Sequence, residues 1–155
     1  MKSNIDGVMI RALERRTDAR GWLMELYRRD ELPGGVAPAM AYVSSTAPGV
    51  GRGPHEHREQ IDVLCFVAGS FRLYLWDNRA GSSTYGLHET VETDEEKPLQ
   101  VVIPPGVVHG YRNMGESEGL IFNAADRLYA GEGRRGEVDE IRHENDPDSP
   151  FRMPE

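Results

Sequence analysis

Short apolar runs separated by tight turns dominate this sequence, and they restrict its fold more than any other feature. In residues 71–76 every second side chain is Phe or Leu, which is the pattern of a strand with one buried face. Residues 61–67 form an apolar run just before it, and Ala68-Gly69-Ser70 joins the two as a tight turn. Seventeen glycines and ten prolines disfavour long helices elsewhere. We therefore predict an all-β chain of short strands, folded as a sandwich or a barrel.

The length of 155 residues predicts a single domain, 1–155, that is large enough to bury a core. Within it we expect N-terminal strands in residues 7–28, a core over about residues 36–130 and a tail over residues 131–155. The tail is charged and has three prolines, which exclude a long helix. We expect it either to be disordered or to dock onto the body through Ile141, Phe151 and Met153.

Charge and hydropathy exclude several classes of partner. A net charge of −8 argues against non-specific binding of nucleic acid. No apolar run is long enough to cross a membrane, and the first residues lack the apolar segment of a secretory signal. We therefore expect a soluble cytoplasmic protein that binds neither nucleic acid nor membrane. The single cysteine, Cys65, lies in an apolar run and is predicted to be a buried small hydrophobic residue.

Three histidines and one aspartate form the most chemically distinctive pattern. His55 and His57 are two residues apart, so they project from one face if they lie on a strand. Asp62 can return to that face on the next strand if residues 58–60 turn the chain. His109 follows a Pro-Pro-Gly turn and could supply a fourth ligand. This set suits Zn, Fe, Mn or Ni, and the spacing does not choose among them.

The same residues also allow two interpretations without a metal. His55 could act as a general base, because the ordinary pKa of histidine is close to neutral. His57 and His109 could instead be structural residues whose hydrogen bonds are satisfied inside the fold. The combination of His-x-His with a later Pro-Gly-x-x-His favours a functional pocket over a purely structural role.

Two blocks of the sequence resemble the two halves of the cupin signature. The second block is Pro-x-Gly-x-x-His followed by Asn113, and the first is a glycine, His-x-His, an acid and a glycine. The residues concerned are Gly53, His55, His57, Asp62, Gly69, Pro104, Gly106, His109 and Asn113. The resemblance implies a cupin double-stranded β-helix, or jelly roll, with short N- and C-terminal extensions.

More narrowly, the chain is similar to the dTDP-4-dehydrorhamnose 3,5-epimerase family of cupins, enzymes of nucleotide-sugar metabolism. Residues 18–25 resemble that family's nucleotide-contacting motif, and Arg52-Gly53-x-His55 resembles its motif of a phosphate-binding Arg and a catalytic base. Residues 77–85 and 145–147 match further family segments. The resemblance implies catalytic roles for His55 and His109. We expect the substrate to be bound by Arg20, Glu25, Arg52, His57, Arg72 and Tyr129.

The sequence departs from the family at three places. Asp62 stands where the family's epimerases have a lysine, and their catalytic tyrosine falls near Phe122, which cannot donate a proton. Tyr129 better matches a later family tyrosine. The aspartate that orients their base lies in a segment with no counterpart here. An enolate oxygen would then have to be held by Arg52, Arg72 or a metal.

Three hypotheses follow. The first is an epimerase or isomerase acting on a nucleotide-linked keto-sugar, with His55 as the base and no cofactor. The second is a metal-dependent isomerase or oxygenase in which His55, His57, Asp62 and His109 hold a divalent ion. The third is a sugar-nucleotide binding module without catalysis. A ligand bound to metal cannot also be a free base, so the first two exclude each other at His55. Family resemblance further implies a homodimer, because the N-terminal strands of those enzymes cross to a partner.

Overall fold

Two antiparallel five-stranded sheets make up the body of the protein. The structure is a computed structural model and describes residues 1–154. The first sheet has the order β1-β9-β6-β11-β4, and the second has the order β12-β5-β10-β7-β8. The strands are β1 Met9–Ala12, β2 Arg15–Asp18, β3 Gly21–Met24, β4 Met40–Thr46, β5 Gly51–Glu56, β6 Asp62–Ala68, β7 Phe71–Asp77, β8 His88–Thr93, β9 Leu99–Ile103, β10 Val107–Asn113, β11 Gly119–Ala125 and β12 Ile141–Arg142. This arrangement confirms the predicted all-β jelly roll.

The core lies between the two sheets. Phe71, Leu73 and Leu75 alternate along β7 and are almost fully buried, as the period-two pattern predicts. They pack against Leu64 and Ile121 from the first sheet. Because alternate residues of each strand face inward, the same inner surfaces also carry the polar residues of the site. Within residues 1–154 no helix is long and apolar enough to cross a membrane.

The outer face of the first sheet is covered by the N-terminal segment. Leu13, Leu32 and Val36 pack on Cys65 and its neighbours to form a second apolar cluster. Burial raises the pKa of the Cys65 thiol to about 12, so the predicted role as a small hydrophobic residue is the one its surroundings support. Strands β2 and β3 instead form a separate hairpin, which pairs with no other strand of the part of the chain described.

The tail docks onto the second sheet. Its strand β12 pairs with β5, and this pairing sets Ile141 opposite Glu56. Further along, the ring of Phe151 lies 5.8 Å from that of Trp76. The Tyr74 hydroxyl donates to the carbonyl of Pro154 at 2.8 Å. The docking alternative for the tail is therefore the one that the structure shows, and it brings residues 139–144 beside His55 and His57.

Asp77 ends β7 and organises the turn that follows it. Its buried carboxylate accepts hydrogen bonds from Arg79 Nε at 2.7 Å and from the hydroxyls of Ser82 and Thr84 at 2.6 and 2.5 Å. Burial alone would raise the pKa of Asp77, but these donors hold it well below its usual range. The next strand, β8, begins only at His88 because Thr84 is engaged by this turn.

Replacement of Asp77 by asparagine is expected to lower the free energy of unfolding by about 1.5–3 kcal/mol at pH 7, because the partly exposed guanidinium of Arg79 loses its charge-assisted hydrogen bonds to a buried carboxylate. The stabilisation from the depressed pKa is present above the unfolded value of 3.8 and is lost as the pH falls through the folded value. Urea unfolding at pH 7 and pH 3 checks this. The difference in unfolding free energy between wild type and Asp77→Asn should be smaller at pH 3 than at pH 7. An equal difference at the two pH values would contradict the prediction. Asp94→Asn, in an exposed turn, is the control.

Candidate active site

A cavity of about 490 Å³ opens between the two sheets at the histidine cluster. Strands of both sheets line it, and the docked tail closes one side. The lining includes Tyr42, Ser44, Arg52, His55, Asp62, His109, Tyr111, Asn123, Glu140 and Arg142. A second cavity of about 680 Å³ adjoins it and shares Tyr42, His55, Glu140 and Arg142 with the first. The volume and the polar lining suit a sugar-sized ligand.

The fold brings the four predicted residues together. His55 on β5 pairs directly with His109 on β10, and Asp62 begins β6 in the facing sheet. One potential ligand atom from each of His55, His57, Asp62 and His109 lies within 4.8 Å of the others. Gly53 makes this approach possible, since a Cβ there would lie 2.8 Å from the carbonyl oxygen of His109. The contacts around Asp62 decide what this group can do.

Asp62 is a buried carboxylate held between two imidazoles. Its Oδ2 atom lies 3.3 Å from Nε2 of both His57 and His109, and Gln60 Nε2 donates to its Oδ1 at 2.9 Å. Burial alone would raise the pKa of Asp62, but its contacts with His109 and His57 hold it well below its usual range. Burial alone would lower the pKa of His57, and the hydrogen bond to Asp62 raises it instead.

Backbone carbonyls fix the orientation of both imidazoles. His57 Nδ1 bonds to the carbonyl of Asp139, and His109 Nδ1 bonds to the carbonyl of Val107 at 3.0 Å. Each ring therefore turns Nε2 toward Asp62. His109 Nε2 is buried and has no partner in good hydrogen-bonding geometry among the described residues. Two such nitrogens and a carboxylate form a donor set that fits a divalent ion, and carbonyl-bound Nδ1 atoms are typical of metal-binding histidines.

His55 differs from the other two histidines. Burial, together with the neighbouring His109 and His57, lowers its pKa to about 2. The ring is therefore neutral at physiological pH and has a nitrogen lone pair available. Its Nε2 atom lies 3.9 Å from Oε1 of Glu140, the nearest carboxylate that could stabilise a positive charge formed on the ring.

Glu140 is a site residue that the sequence analysis missed. It comes from the docked tail, its side chain is largely buried, and its other oxygen bonds to Arg142 Nη2 at 2.7 Å. A carboxylate therefore lies beside His55 although the family's orienting aspartate has no counterpart in this sequence. The sequence signal for Glu140 was its neighbour Ile141, because a tail residue that docks onto the body brings the adjacent residues with it.

Three of the six predicted substrate-binding residues, Arg52, His57 and Tyr129, lie at the cavities. Arg52 lines the first cavity, and its guanidinium donates to Thr46 Oγ1 at 3.1 Å and to the carbonyl of Ser45 at 2.8 Å. Tyr129 lines the second cavity with His55 and His57. Their positions allow contact with one ligand, and their roles stay predictions.

The other three predicted binding residues lie away from these cavities within one chain. Arg20 is exposed in the β2–β3 turn and pairs with Asp18 at 2.5 Å. Glu25 is exposed and lies 3.9 Å from Arg28. Arg72 pairs with Glu92 at 2.8 Å across β7 and β8. Neither of the two cavities at His55 includes any of these three residues in its lining, so their part in binding also stays a prediction.

A tyrosine that lines both cavities was also missed from the sequence. Tyr42 on β4 lines both cavities, and its hydroxyl accepts a hydrogen bond from Asn123 Nδ2 at 2.9 Å. Partial desolvation raises the pKa of the Tyr42 phenol, although the hydrogen bond from Asn123 acts in the opposite direction. Phe122 points to the outer face and stacks on Tyr27, so Asn123 is the residue of this part of β11 that enters the cavity. Alternation along residues 40–46 was the signal for Tyr42.

Comparison with known proteins matches this geometry to a family. A family model described as dTDP-4-dehydrorhamnose 3,5-epimerase covers residues 2–146. A probable low-salt glycan biosynthesis epimerase of Haloferax volcanii, Agl13, is 35% identical over 127 residues, 81% of each chain. The spore coat polysaccharide biosynthesis protein SpsL of Bacillus subtilis is 36% identical over 115 residues, 73% of this chain and 74% of that protein.

Solved structures agree on the fold. A dTDP sugar isomerase from Desulfovibrio desulfuricans superposes with a TM-score of 0.81 at 21% identity, over 96% of this chain and 91% of that one. At this identity the likeness establishes the cupin-type architecture, while the family match and the two relatives establish the kind of protein. The chain therefore belongs to the dTDP-4-dehydrorhamnose 3,5-epimerase family and is an enzyme of the sugar-nucleotide epimerase type.

Proposed function

We propose that the enzyme inverts a carbon next to the ketone of a dTDP-linked 4-keto-6-deoxyhexose, with His55 as the base that removes the α-proton. The observation that carries this is the position of His55, largely buried in the cavity that also holds Arg52 and with Nε2 3.9 Å from Glu140. The Haloferax relative is described as a probable glycan biosynthesis epimerase, and the Bacillus relative as a polysaccharide biosynthesis protein. Both descriptions support a role in making a sugar for a polysaccharide.

Removal of the α-proton creates charge at two places, and the protein must stabilise both. When the C–H bond breaks, its electrons move to the ketone oxygen, and an enolate forms that a cation must stabilise. Arg52 and Arg142 are the guanidinium groups at the cavity. At the same moment His55 becomes positive, although its surroundings disfavour charge. Glu140, 3.9 Å from Nε2, is placed to offset that cost.

Deuterium exchange tests the proposal directly. The enzyme would be incubated in D₂O with dTDP-4-keto-6-deoxyglucose, and NMR would follow both deuterium uptake at the carbons beside the ketone and the configuration of the product. We expect uptake at one or both carbons, together with inversion. Absence of both, with dTDP binding intact by calorimetry, would refute the epimerase proposal. His88→Ala, at a surface histidine stacked on Trp76, is the control.

We also propose that two protomers share their sites through the β2–β3 hairpin. Trp22 and Leu23 of the hairpin are exposed by 51% and 63%, and Val43 on the edge strand β4 by 64%. An isolated hairpin is marginally stable, and an exposed edge strand invites pairing. A partner chain would cover both and would bring Arg20 and Glu25 to the neighbouring cavity. The cytoplasmic location stays a prediction.

Replacement of Arg20 by alanine is therefore expected to raise KM about 10- to 100-fold with a small change in kcat, because a lost hydrogen bond to charged phosphate is worth about 1.5–3 kcal/mol. Steady-state kinetics and light-scattering mass of the variant check this. Arg16→Ala is the matched control, since Arg16 lies in the same hairpin and pairs only with Glu14 in the described contacts. Equal effects of the two substitutions would contradict the specific role of Arg20.

A second candidate function is a metal-dependent reaction at the same site. The convergence of His57 and His109 Nε2 atoms on Asp62 favours it, with His55 near enough to complete the set. A bound divalent ion would supply a Lewis acid for the ketone oxygen. His55, His57, Asp62 and His109 would hold it, and the chain's own task would remain to position the sugar and exclude water.

Calorimetric titration of chelator-treated protein with Zn²⁺ or Mn²⁺ tests this candidate. Tight stoichiometric binding that is lost in His57→Ala and retained in His88→Ala would support it. Absence of binding, with exchange activity intact after chelation, would leave the metal-free reaction alone.

A further inference from the structure

The geometry points to Tyr42 as the acid of the reaction, the group that delivers a proton to the α-carbon on the face opposite His55. This inference rests on the proposed epimerase function and adds the residue that completes it. Inversion requires that the carbon lose its proton to one wall of the cavity and gain another from the facing wall.

Strand β11, where a tyrosine was expected near Phe122, does not supply this group. The ring of Phe122 packs on the outer cluster and lies 6.5 Å from Tyr27. Its neighbour Asn123 enters the cavity instead and is 2% exposed. An amide is too weak an acid to protonate a carbanion at neutral pH, so β11 carries no proton donor of its own at this point.

Tyr42 stands beside Asn123 on the adjacent strand. The register of β4 and β11 pairs the two residues, and Asn123 Nδ2 donates to the Tyr42 hydroxyl oxygen at 2.9 Å. Because that bond uses a lone pair of the oxygen, the phenolic proton remains available to a ligand. Asn123 Oδ1 is buried and has no partner among the described residues, which leaves a further acceptor for a sugar hydroxyl.

The walls of the cavity separate the two catalytic groups. Tyr42 belongs to β4 of the first sheet, whereas His55 belongs to β5 of the second, and both line the two adjoining cavities. A sugar between them would present opposite faces to base and acid. Tyr111, the other tyrosine at the cavity, lies on β10 in the same sheet as His55, with its hydroxyl 3.5 Å from Ser44 Oγ. Its hydroxyl therefore reaches the first sheet, and the Tyr111→Phe variant tests it as the competing proton donor.

The protons balance over one turnover. The Tyr42 O–H bond breaks, the enolate double bond supplies the electrons of the new C–H bond, and the ketone reforms. The resulting phenolate takes a proton from solvent, which half of the Tyr42 surface contacts. His55 releases the proton that it removed. No oxidant, reductant or second substrate is required.

The experiment measures inversion and exchange separately in D₂O, in wild type, Tyr42→Phe and Tyr111→Phe. We expect Tyr42→Phe to lose inversion by at least about 100-fold, the usual scale for one general acid. Deuterium should still enter the α-carbon with retained configuration, because His55 can return a deuteron to its own face. Tyr111→Phe should keep inversion within a few-fold of wild type. Thermal unfolding and dTDP binding would verify that each variant is folded.

Two results would overturn the assignment of Tyr42. One is inversion by Tyr42→Phe at the wild-type rate. The other is loss of exchange in step with inversion, which would make Tyr42 a positioning residue for the first proton transfer. If wild type itself exchanged no deuterium, the epimerase function would be wrong, and the inference would fall with it. The exchange readout therefore separates the two failures.

Discussion

His55→Asn is expected to abolish inversion and α-proton exchange together, each by about 10²–10⁴-fold or more, because the variant lacks the only base that the first proton transfer uses. Asparagine keeps a polar side chain of similar reach but has no lone pair of useful basicity. Quantitative NMR in D₂O measures both rates on one sample. Binding of dTDP should change by less than about threefold, since Arg52 remains in place.

The paired behaviour of exchange and inversion is what identifies a base. A substitution that only weakened substrate binding would raise KM and leave kcat largely intact. Residual exchange at the wild-type rate in His55→Asn would contradict the proposal and direct attention to another group. The His88→Ala control excludes a general effect of removing an imidazole, because His88 lies on β8 against Trp76. His55→Asn also separates the two candidate functions, since a ligand role predicts weaker binding of Zn²⁺.

The architecture and the position of the cluster were predictable because both depend on local patterns. Alternation in residues 71–76 placed Phe71, Leu73 and Leu75 in the core. The His-x-His pair and His109 came together because strand pairing makes distant short motifs adjacent. Asp62 reached the same point because residues 58–60 turn the chain, as the spacing required.

Other parts of the site depended on information that short patterns lack. Neighbouring residues of a strand face opposite sides, so a shift of one residue decides whether Phe122 or Asn123 enters the cavity. The sequence does not show which one does, because β11 carries apolar residues on both faces. Glu140 reaches His55 only because the tail pairs with β5. Arg20 and Glu25 lie on a hairpin whose partner is not determined within one chain. Tertiary docking and assembly, rather than periodicity, place these residues.

Asp62→Ala is expected to lower the free energy of unfolding by about 3–5 kcal/mol in the presence of chelator, because it removes the carboxylate between two buried imidazoles. This loss of unfolding free energy depends on pH through the shifted pKa values of His57 and Asp62. The raised pKa of His57 gives stability that is fully present below its unfolded value of 6.5 and is lost as the pH rises through the folded value. The lowered pKa of Asp62 gives stability that is present above 3.8 and is lost as the pH falls.

The pair therefore contributes most between about pH 4 and pH 6.5. Urea unfolding with chelator should show the largest difference in unfolding free energy between wild type and Asp62→Ala at pH 5.5, and a smaller difference at pH 8.5. Asp62→Asn, which keeps the shape and loses the charge, should show the same trend with a smaller loss. A difference that grows toward pH 8.5 would contradict a stabilising ion pair between Asp62 and His57. If Zn²⁺ stabilises wild type and not Asp62→Ala, the carboxylate is a metal ligand as well. In that case the residue that stands in place of the family's lysine would still bring positive charge to the cavity, carried by an ion instead of a side chain.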